Sequence, residues 1–218
     1  MAQPLIESSA LTMQQGGRTT LTAPPLAFPS GRIHGLIGAS GSGKTTLLNC
    51  LGLLLKPTQG TVSVDGKDTS GWREARKLQF WRDRAAFVFQ DYGLVPDWTV
   101  LQNVFLSDKK KAPTAALAEK LAETLRLVGL EGRQDALVST LSGGEKQRVS
   151  IARAPIKDAA YLFADEPTAS LDPENRATVI RLLRTAAERG ASVVVATHDE
   201  EMISACDETT RLHTPPQP

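Results

Sequence analysis

Short runs of apolar or β-branched residues alternate along the chain with longer stretches in which apolar positions recur at helical spacing. That alternation predicts a largely parallel sheet covered by helices. The predicted strands are RIHGLI (32–37), TVSVDG (61–66), AAFVF (85–89), AAYLFA (159–164) and SVVVAT (192–197). PLIESSAL (4–11) and RTTLTAPPLAF (18–28) read as weaker, exposed strands that form a small antiparallel sheet with TVSVDG. Between Gln90 and Leu141 the strand signal vanishes. There Leu117, Leu121, Leu125 and Val128 recur with helical period and Gly129 supplies a stop, so this stretch reads as a helical insertion. TTLLNCLGLLL (45–55) and the stretch from Pro173 to Arg189 are further predicted helices.

The polar residues at the strand ends carry the chemistry. GASGSGKT (38–45) fits G-x-x-x-x-G-K-[ST], follows one predicted strand and opens an apolar helix. Gly38, Ala39, Ser40, Gly41, Ser42 and Gly43 would turn backbone N–H groups inward around a phosphate, with the helix N-terminus behind them. Lys44 can reach β- and γ-phosphates, and the Thr45 hydroxyl, with Thr46 beside it, can meet Mg²⁺. AAYLFADE ends an apolar strand in Asp165, a metal-holding carboxylate, and Glu166, a general base for an attacking water. Gln90 follows AAFVF and His198 follows SVVVAT. Each alone means little, but Lys44, Thr45, Gln90, Asp165, Glu166 and His198 all stand just beyond strands of one inferred sheet, where ligands of such sheets bind. Nucleotide hydrolysis is the expectation.

LSGGEKQR (141–148) poses a separate problem. Ser142 and Glu145 fit a capping box that opens a helix. The box leaves Gly143 and Gly144 unexplained, since two glycines in a first helical turn cost roughly 1 kcal/mol each relative to alanine. Glycine there lets an anion approach the backbone N–H groups. A triphosphate already held by Lys44 has only its outer face open, so this second grip is expected to serve a nucleotide bound to another subunit.

The order and spacing of GASGSGKT, Gln90, LSGGEKQR, YLFADEP, SLD and His198 strongly resemble ATP-binding cassette (ABC) ATPases, over nearly the whole chain. LSGGE ahead of YLFADEP is far more specific than the P-loop alone. The resemblance implies an α/β fold, a P-loop NTPase (RecA-like) core with a small antiparallel β subdomain and an inserted helical subdomain. It implies one domain over 1–218, with core 1–90 and 146–218 and helical subdomain 91–145. It further implies a head-to-tail homodimer with ATP and Mg²⁺ at the interface. Ser142, Gly143 and Gly144 of one subunit would close on the γ-phosphate held by Lys44 of the other. Thr45, Asp165 and Gln90 would meet Mg²⁺, Gln90 would also sense the attacking water, and His198 would contact the γ-phosphate. Ser170 to Asp172 would form a loop at the subunit contact; Asp172-Pro173 equally reads as an N-cap with a first-turn proline, and the two readings are compatible. DYGLVPDWTVLQNVFL (91–106) resembles the lipoprotein-releasing and macrolide-export type, with Leu94, Val95 and Trp98 lining a groove for a membrane partner.

Three departures stand out. No Tyr, Trp or Phe precedes Phe28, and Gln15 or a neighbour falls where the family usually stacks an aromatic ring on adenine, so weak base discrimination is expected. Pro155 in IARAPIKDAA should end or kink its helix early. Glu145 and Lys146 stand where glutamines are common, a change the family tolerates.

Composition adds exclusions. A net charge of +1 gives no electrostatic argument for nucleic acid, and none is expected as a partner. Cys50 and Cys206, far apart, suggest a reducing compartment; Cys50 reads as a small core residue. The first residues lack a basic segment followed by an apolar core, and no apolar run approaches the roughly 18 to 20 residues needed to span a bilayer. The expectation is therefore a cytoplasmic ATPase subunit of an ABC transporter, peripheral at the inner face of the membrane through integral membrane subunits. A soluble ABC ATPase acting on nucleic acid or ribosomes usually needs tandem cassettes or long coiled-coil insertions, for which 218 residues leave no room. A non-hydrolysing regulatory module is disfavoured by intact Lys44, Asp165, Glu166 and His198. DKKKAP (108–113) reads as a solvated loop, TPPQP as a frayed tail, and Trp72 and Trp81 as residues that pack a helix.

Overall fold

The computed structural model describes residues 5–106, 114–169 and 171–214. The DKKKAP loop, Ser170 and the last four residues of the tail lie outside them.

The centre is a five-stranded parallel sheet in the order β11 (Glu208–Arg211), β5 (Ile33–Ile37), β10 (Ser192–Ala196), β9 (Tyr161–Asp165), β8 (Ala85–Val88). Its three middle strands are buried along their whole length because both faces are covered. On β9 and β10, Leu162, Ala164, Val193 and Val195 enter the core under one set of helices: α3 (Val100–Phe105), α4 (Ala115–Leu127), α5 (Gly143–Lys157) and α6 (Pro173–Glu188). The alternate residues Tyr161, Phe163, Val194 and Ala196 face a second core under α1 (Lys44–Leu51) and α2 (Glu74–Asp83). A short α7 (Glu200–Ser204) links β10 to β11.

The second core is closed by an antiparallel sheet, ordered β4 (Leu26–Pro29), β1 (Leu5–Ser8), β6 (Val62–Val64), β7 (Lys67–Asp68). The hairpin of β2 (Leu11–Gln15) and β3 (Arg18–Ala23) lies beside it. The antiparallel sheet expected from PLIESSAL, RTTLTAPPLAF and TVSVDG is present with one correction: RTTLTAPPLAF breaks at Pro24-Pro25 into β3, which pairs with β2, and β4, so only its second half joins the sheet. Strand β11 went unpredicted: ETTR contains no apolar residue, and it is a strand because it pairs along the open side of β5.

Between β8 and β9 the described chain is helical, with α3, α4, a single 3₁₀ turn (Val138–Thr140) and α5. Leu121, Leu125 and Val128 are buried as the pattern required, Leu117 one turn earlier is 37% exposed, and Gly129 ends the run at a left-handed φ of 66°. Two helix ends differ from expectation. Helix α1 stops at Leu51, because Gly52 presses against the Phe87 ring and its carbonyl accepts the Trp81 indole N–H at 2.8 Å. Helix α5 does not end at Pro155 but runs to Lys157. Proline forfeits only the N–H that Ile151 would have accepted. Burial of Ile151, Ala154 and Ile156 holds the last turn, as do bonds from the Lys157 ammonium to the carbonyls of Trp81 (3.1 Å) and Ala85 (3.3 Å).

One polar cluster ties the antiparallel sheet to the parallel one. Asp65, at a left-handed φ of 51°, accepts from the Tyr161 hydroxyl, from Arg84 and from the Leu5 N–H. Burial alone would raise the Asp65 carboxyl, but these donors outweigh it and hold it below its ordinary value. A carboxylate depressed in the folded state contributes stability above its unfolded pKa and loses it as pH falls. Asp65→Asn is expected to cost about 1–3 kcal/mol at neutral pH. The gap from wild type should narrow below about pH 4, and urea melts at both pH values would measure it.

Candidate active site

The loop after β5 is shaped by residues that only glycine can supply. Gly38, Gly41 and Gly43 have φ of 152°, 79° and 89°. A side chain on Gly38 would stand 2.5 Å from the Leu212 carbonyl, and one on Gly43 2.8 Å from that of Thr20. Gly43 immediately precedes α1, so the loop delivers the chain into the helix. Lys44 opens α1, and its ammonium folds back to the carbonyls of Gly38 (2.9 Å) and Ala39 (3.2 Å). Its side chain spans the loop, with the charge held where a phosphate would be received. Ala39, Ser40, Gly41 and Thr45 are exposed, Thr46 is half-buried, and the buried Ser42 hydroxyl has no partner among the described residues.

Two strands away, Asp165 ends β9 and accepts from the Thr45 hydroxyl at 3.0 Å. Burial pushes the Asp165 carboxyl up, and so does Glu166, while Thr45 and Lys44 act the other way. A cation at this pair would remove that penalty. The donor set is a hydroxyl and a carboxylate, both hard oxygens, which suits Mg²⁺ with phosphate and water filling its remaining positions. Among the described residues no group of three or more His, Cys, Asp or Glu could hold a metal alone.

Glu166 has a left-handed φ of 46°, rare for a residue with a long side chain. Its N–H donates to the Ala196 carbonyl at 2.8 Å, joining the ends of β9 and β10. That turn brings its carboxylate, 12% exposed, to within 2.8 Å of His198 Nδ1. Backbone strain of this kind persists where the surroundings over-determine it. Gln90, two residues past β8, is exposed and makes no side-chain hydrogen bond among the described residues. Because the strands run in the order β5, β10, β9, β8, the groups line the carboxyl end of the sheet as Lys44 and Thr45, then His198, then Asp165 and Glu166, then Gln90. The sheet thus brings Thr45 to Asp165 and Glu166 to His198 and sets Lys44 and Gln90 at the same edge, Gln90 without a hydrogen bond to the others among the described residues.

LSGGEKQR (141–148), the signature stretch, stands apart from them. Ser142 caps α5, and the capping box with Glu145 is complete in both directions, at 2.8 and 3.2 Å. Gly143 is exposed, and a side chain there would lie 3.1 Å from the Tyr92 hydroxyl. Gly144 is buried, and a Cβ there would stand 2.6 Å from the side chain of Asn175. Packing therefore accounts for Gly144, a reason that sequence spacing did not supply. Asn175 is itself pinned: its Oδ1 accepts from Arg148, and its Nδ2 donates to Asp172 at 2.6 Å. Asp172 caps α6 by accepting the Asn175 N–H at 2.9 Å, and Pro173 follows at the first helical position, so the cap reading is realised. Tyr92, Arg148 and Asn175 were not singled out in the sequence, because their relevance depends on two helices meeting.

Comparison with known proteins agrees with this arrangement. The family described as ABC transporter matches residues 21–169. The chain belongs to that family. The lipoprotein-releasing system ATP-binding protein LolD 1 of Caulobacter vibrioides is 40% identical over 186 residues, covering 83% of this chain and 79% of that one. The methionine import ATP-binding protein MetN 2 of Yersinia pestis is 37% identical over 214 residues, 96% of this chain. The chain spans 65% of the length of that relative. A dimeric structure of the ABC transporter cassette MJ0796 superposes with a TM-score of 0.84 at 31% identity, covering 95% of this chain and 94% of that one. Another MJ0796 structure, of a post-hydrolysis state bound to ADP and Pi, superposes equally well at 30% identity. The ABC cassette fold thus stands as expected, with parallel core and antiparallel β layer. Among the described residues no helix is long and apolar enough to cross a membrane.

A cavity of about 440 Å³ lies at the opposite end of the sheet, between the C-terminal ends of α4, α5 and α6. Ile151, Pro155, Leu162 and Leu182 line it, and none of the strand-end polar groups does.

Proposed function

We propose that this chain is the ATP-hydrolysing subunit of an ABC transporter. It would act as a head-to-tail homodimer that closes on ATP and drives integral membrane subunits from the inner face of the membrane. The observation that carries the reading is the Glu166 carboxylate, fixed beside His198 and next to the Thr45–Asp165 pair, at the carboxyl end of the sheet. Lys44 and the N–H groups of residues 38–46 bind the phosphates. Glu166 accepts the proton of the attacking water, and His198 orients Glu166 and meets the γ-phosphate. Thr45, Asp165 and Gln90 would hold Mg²⁺, which would neutralise phosphate charge.

Ser142, Gly143 and Gly144 share no hydrogen bond with the P-loop of their own chain among the described residues, which fits service to the partner's nucleotide. The residues from Ser170 to Asp172 would then lie at the subunit contact. The chain would divide into a helical part, 91–145, and a core, 1–90 and 146–218, with α5 running from one into the other. Exposed Val95 and half-buried Leu94 and Trp98 suit a groove for a segment of the membrane subunit. The similarity to LolD and MetN, named for release of lipoproteins and import of methionine, supports a transport role.

Capture tests the membrane partner. Tagged Glu166→Gln protein, incubated with ATP and solubilised native membranes, is expected to retain an integral membrane protein, and Lys44→Ala in the same background should not. Recovery of ribosomes or DNA instead would overturn the transporter reading. Base selectivity gives an independent check. The β2–β3 hairpin sets Thr20 and Leu21 of β3 against Gly43, so the part of it beside the P-loop is polar and aliphatic. Without an aromatic face to stack on, ATP and GTP should turn over within about fivefold of each other, since a lost stack amounts to roughly 1 kcal/mol. A preference for ATP above about thirtyfold in kcat/KM would contradict this.

A further inference from the structure

Arg153 is a buried cation with no salt-bridge partner among the described residues. It is 5% exposed, and its guanidinium donates through Nε to the Asn103 carbonyl (3.1 Å) and through Nη2 to the Gly93 carbonyl (2.9 Å). Burial pushes the guanidinium down to about 10. A stability role alone would be served as well by an apolar residue of similar volume, because burying a charge is costly. What the fork does that an apolar residue cannot is fix two carbonyls at once.

Those carbonyls bracket one segment. Gly93 closes the turn that contains Gln90: Tyr92 N–H donates to Phe89 O at 2.9 Å, and Tyr92 and Gly93 are both left-handed. Asn103 closes the other end. Its fully buried amide accepts from Val95 N–H (2.8 Å) and donates to the carbonyls of Val95 (3.0 Å) and Thr99 (3.1 Å). Arg153 itself lies on α5, the helix that begins with Ser142, Gly143 and Gly144. Helix α5 runs antiparallel to β8: Lys157 meets Ala85, Ser150 meets Phe87 at 3.5 Å, and Gly143 lies by Tyr92 beyond the strand.

We propose that Arg153 is a positioning residue for hydrolysis. It clamps the 93–103 segment to the signature helix, so that Gln90 and the Ser142–Gly144 grip move as one unit. Displacement of the exposed surface at Val95 is thereby transmitted to both sides of the nucleotide. The proposal rests on the role given to Gln90 above.

Arg153→Lys keeps the charge but cannot span both carbonyls. Purified full-length chain is assayed for ATP turnover, and amide exchange is followed by mass spectrometry. The expected result is a kcat lowered about tenfold with KM for ATP within twofold. Faster exchange should be confined to residues 91–106. Unchanged kcat overturns the proposal, and so does faster exchange spread over α5 and the parallel sheet, which would mark a merely structural residue. If Arg153→Lys does not fold, Asn103→Ser releases the same segment from its other side and is read by the same criteria. Gln90→Ala separates the two claims. If it leaves kcat intact, the role of Gln90 fails and the clamp with it; if it lowers kcat while Arg153→Lys does not, only the clamp fails.

Discussion

Glu166→Gln protein is expected to bind ATP with wild-type affinity and to release phosphate about 10²–10⁴-fold more slowly, the range a positioned general base contributes. The substitution is nearly isosteric. The backbone turn held by the Ala196 carbonyl stays, and a glutamine oxygen can still face the His198 N–H that now approaches Glu166 at 3.4 Å. What disappears is the lone carboxylate able to take a proton from water at this point. Asp165 cannot substitute for it, because it is engaged by Thr45 at 3.0 Å. Binding survives because the P-loop and Lys44 make no hydrogen bond to Glu166. Steady-state phosphate release beside equilibrium ATP binding measures both halves. If wild type and variant were equally inactive, the chain would be a regulatory nucleotide sensor. If the variant hydrolysed at the wild-type rate, the base would lie elsewhere.

Gly144→Ala should lower turnover about 100-fold, the scale on which a misplacement of about 1 Å acts at a reacting centre. A methyl group at 144 meets Asn175 at 2.6 Å, and Asn175 cannot retreat freely, since Arg148 and Asp172 hold both ends of its amide. Either α5 shifts, carrying Ser142 and Gly143 with it, or the cap of α6 at Asp172 opens. Both outcomes disturb residues that the dimer reading places on the partner's γ-phosphate, while leaving the P-loop of the same chain intact. ATP binding to the monomer should therefore stay within about twofold, well under 1 kcal/mol. The double variant Gly144→Ala/Asn175→Ala discriminates further. Recovery of most of the turnover points to crowding between helices as the cause. Recovery of stability without turnover points to the nucleotide's need for bare backbone at 144.

The strand-end chemistry was legible because parallel sheets enforce it. A buried apolar run that stops at Asp165, at His198 or before Lys44 leaves the next polar residue at the carboxyl edge, wherever the strand sits in the sheet. The capping box at Ser142 and Glu145 and the cap at Asp172 were equally readable, being set by residues three apart. Local rules failed where a distant surface decided the outcome. Pro155 should have ended α5, yet the buried face of that helix and the reach of Lys157 to Trp81 and Ala85 carry it two residues further. Glu208–Arg211 has no strand pattern and is a strand only because β5 offers it an unpaired edge.

By itself, the sequence determined most of the core elements, the P-loop, the strand-end carboxylates and the helix caps, all products of short-range geometry and burial period. Only the tertiary structure decided the order β11-β5-β10-β9-β8, which lines the polar groups up and sets Glu166 against His198. It also decided that Gly144 must be small because of Asn175, and that Arg153 is a buried clamp rather than a surface cation. Those facts depend on contacts between residues 27 to 60 positions apart, which exist only once helices and strands have packed.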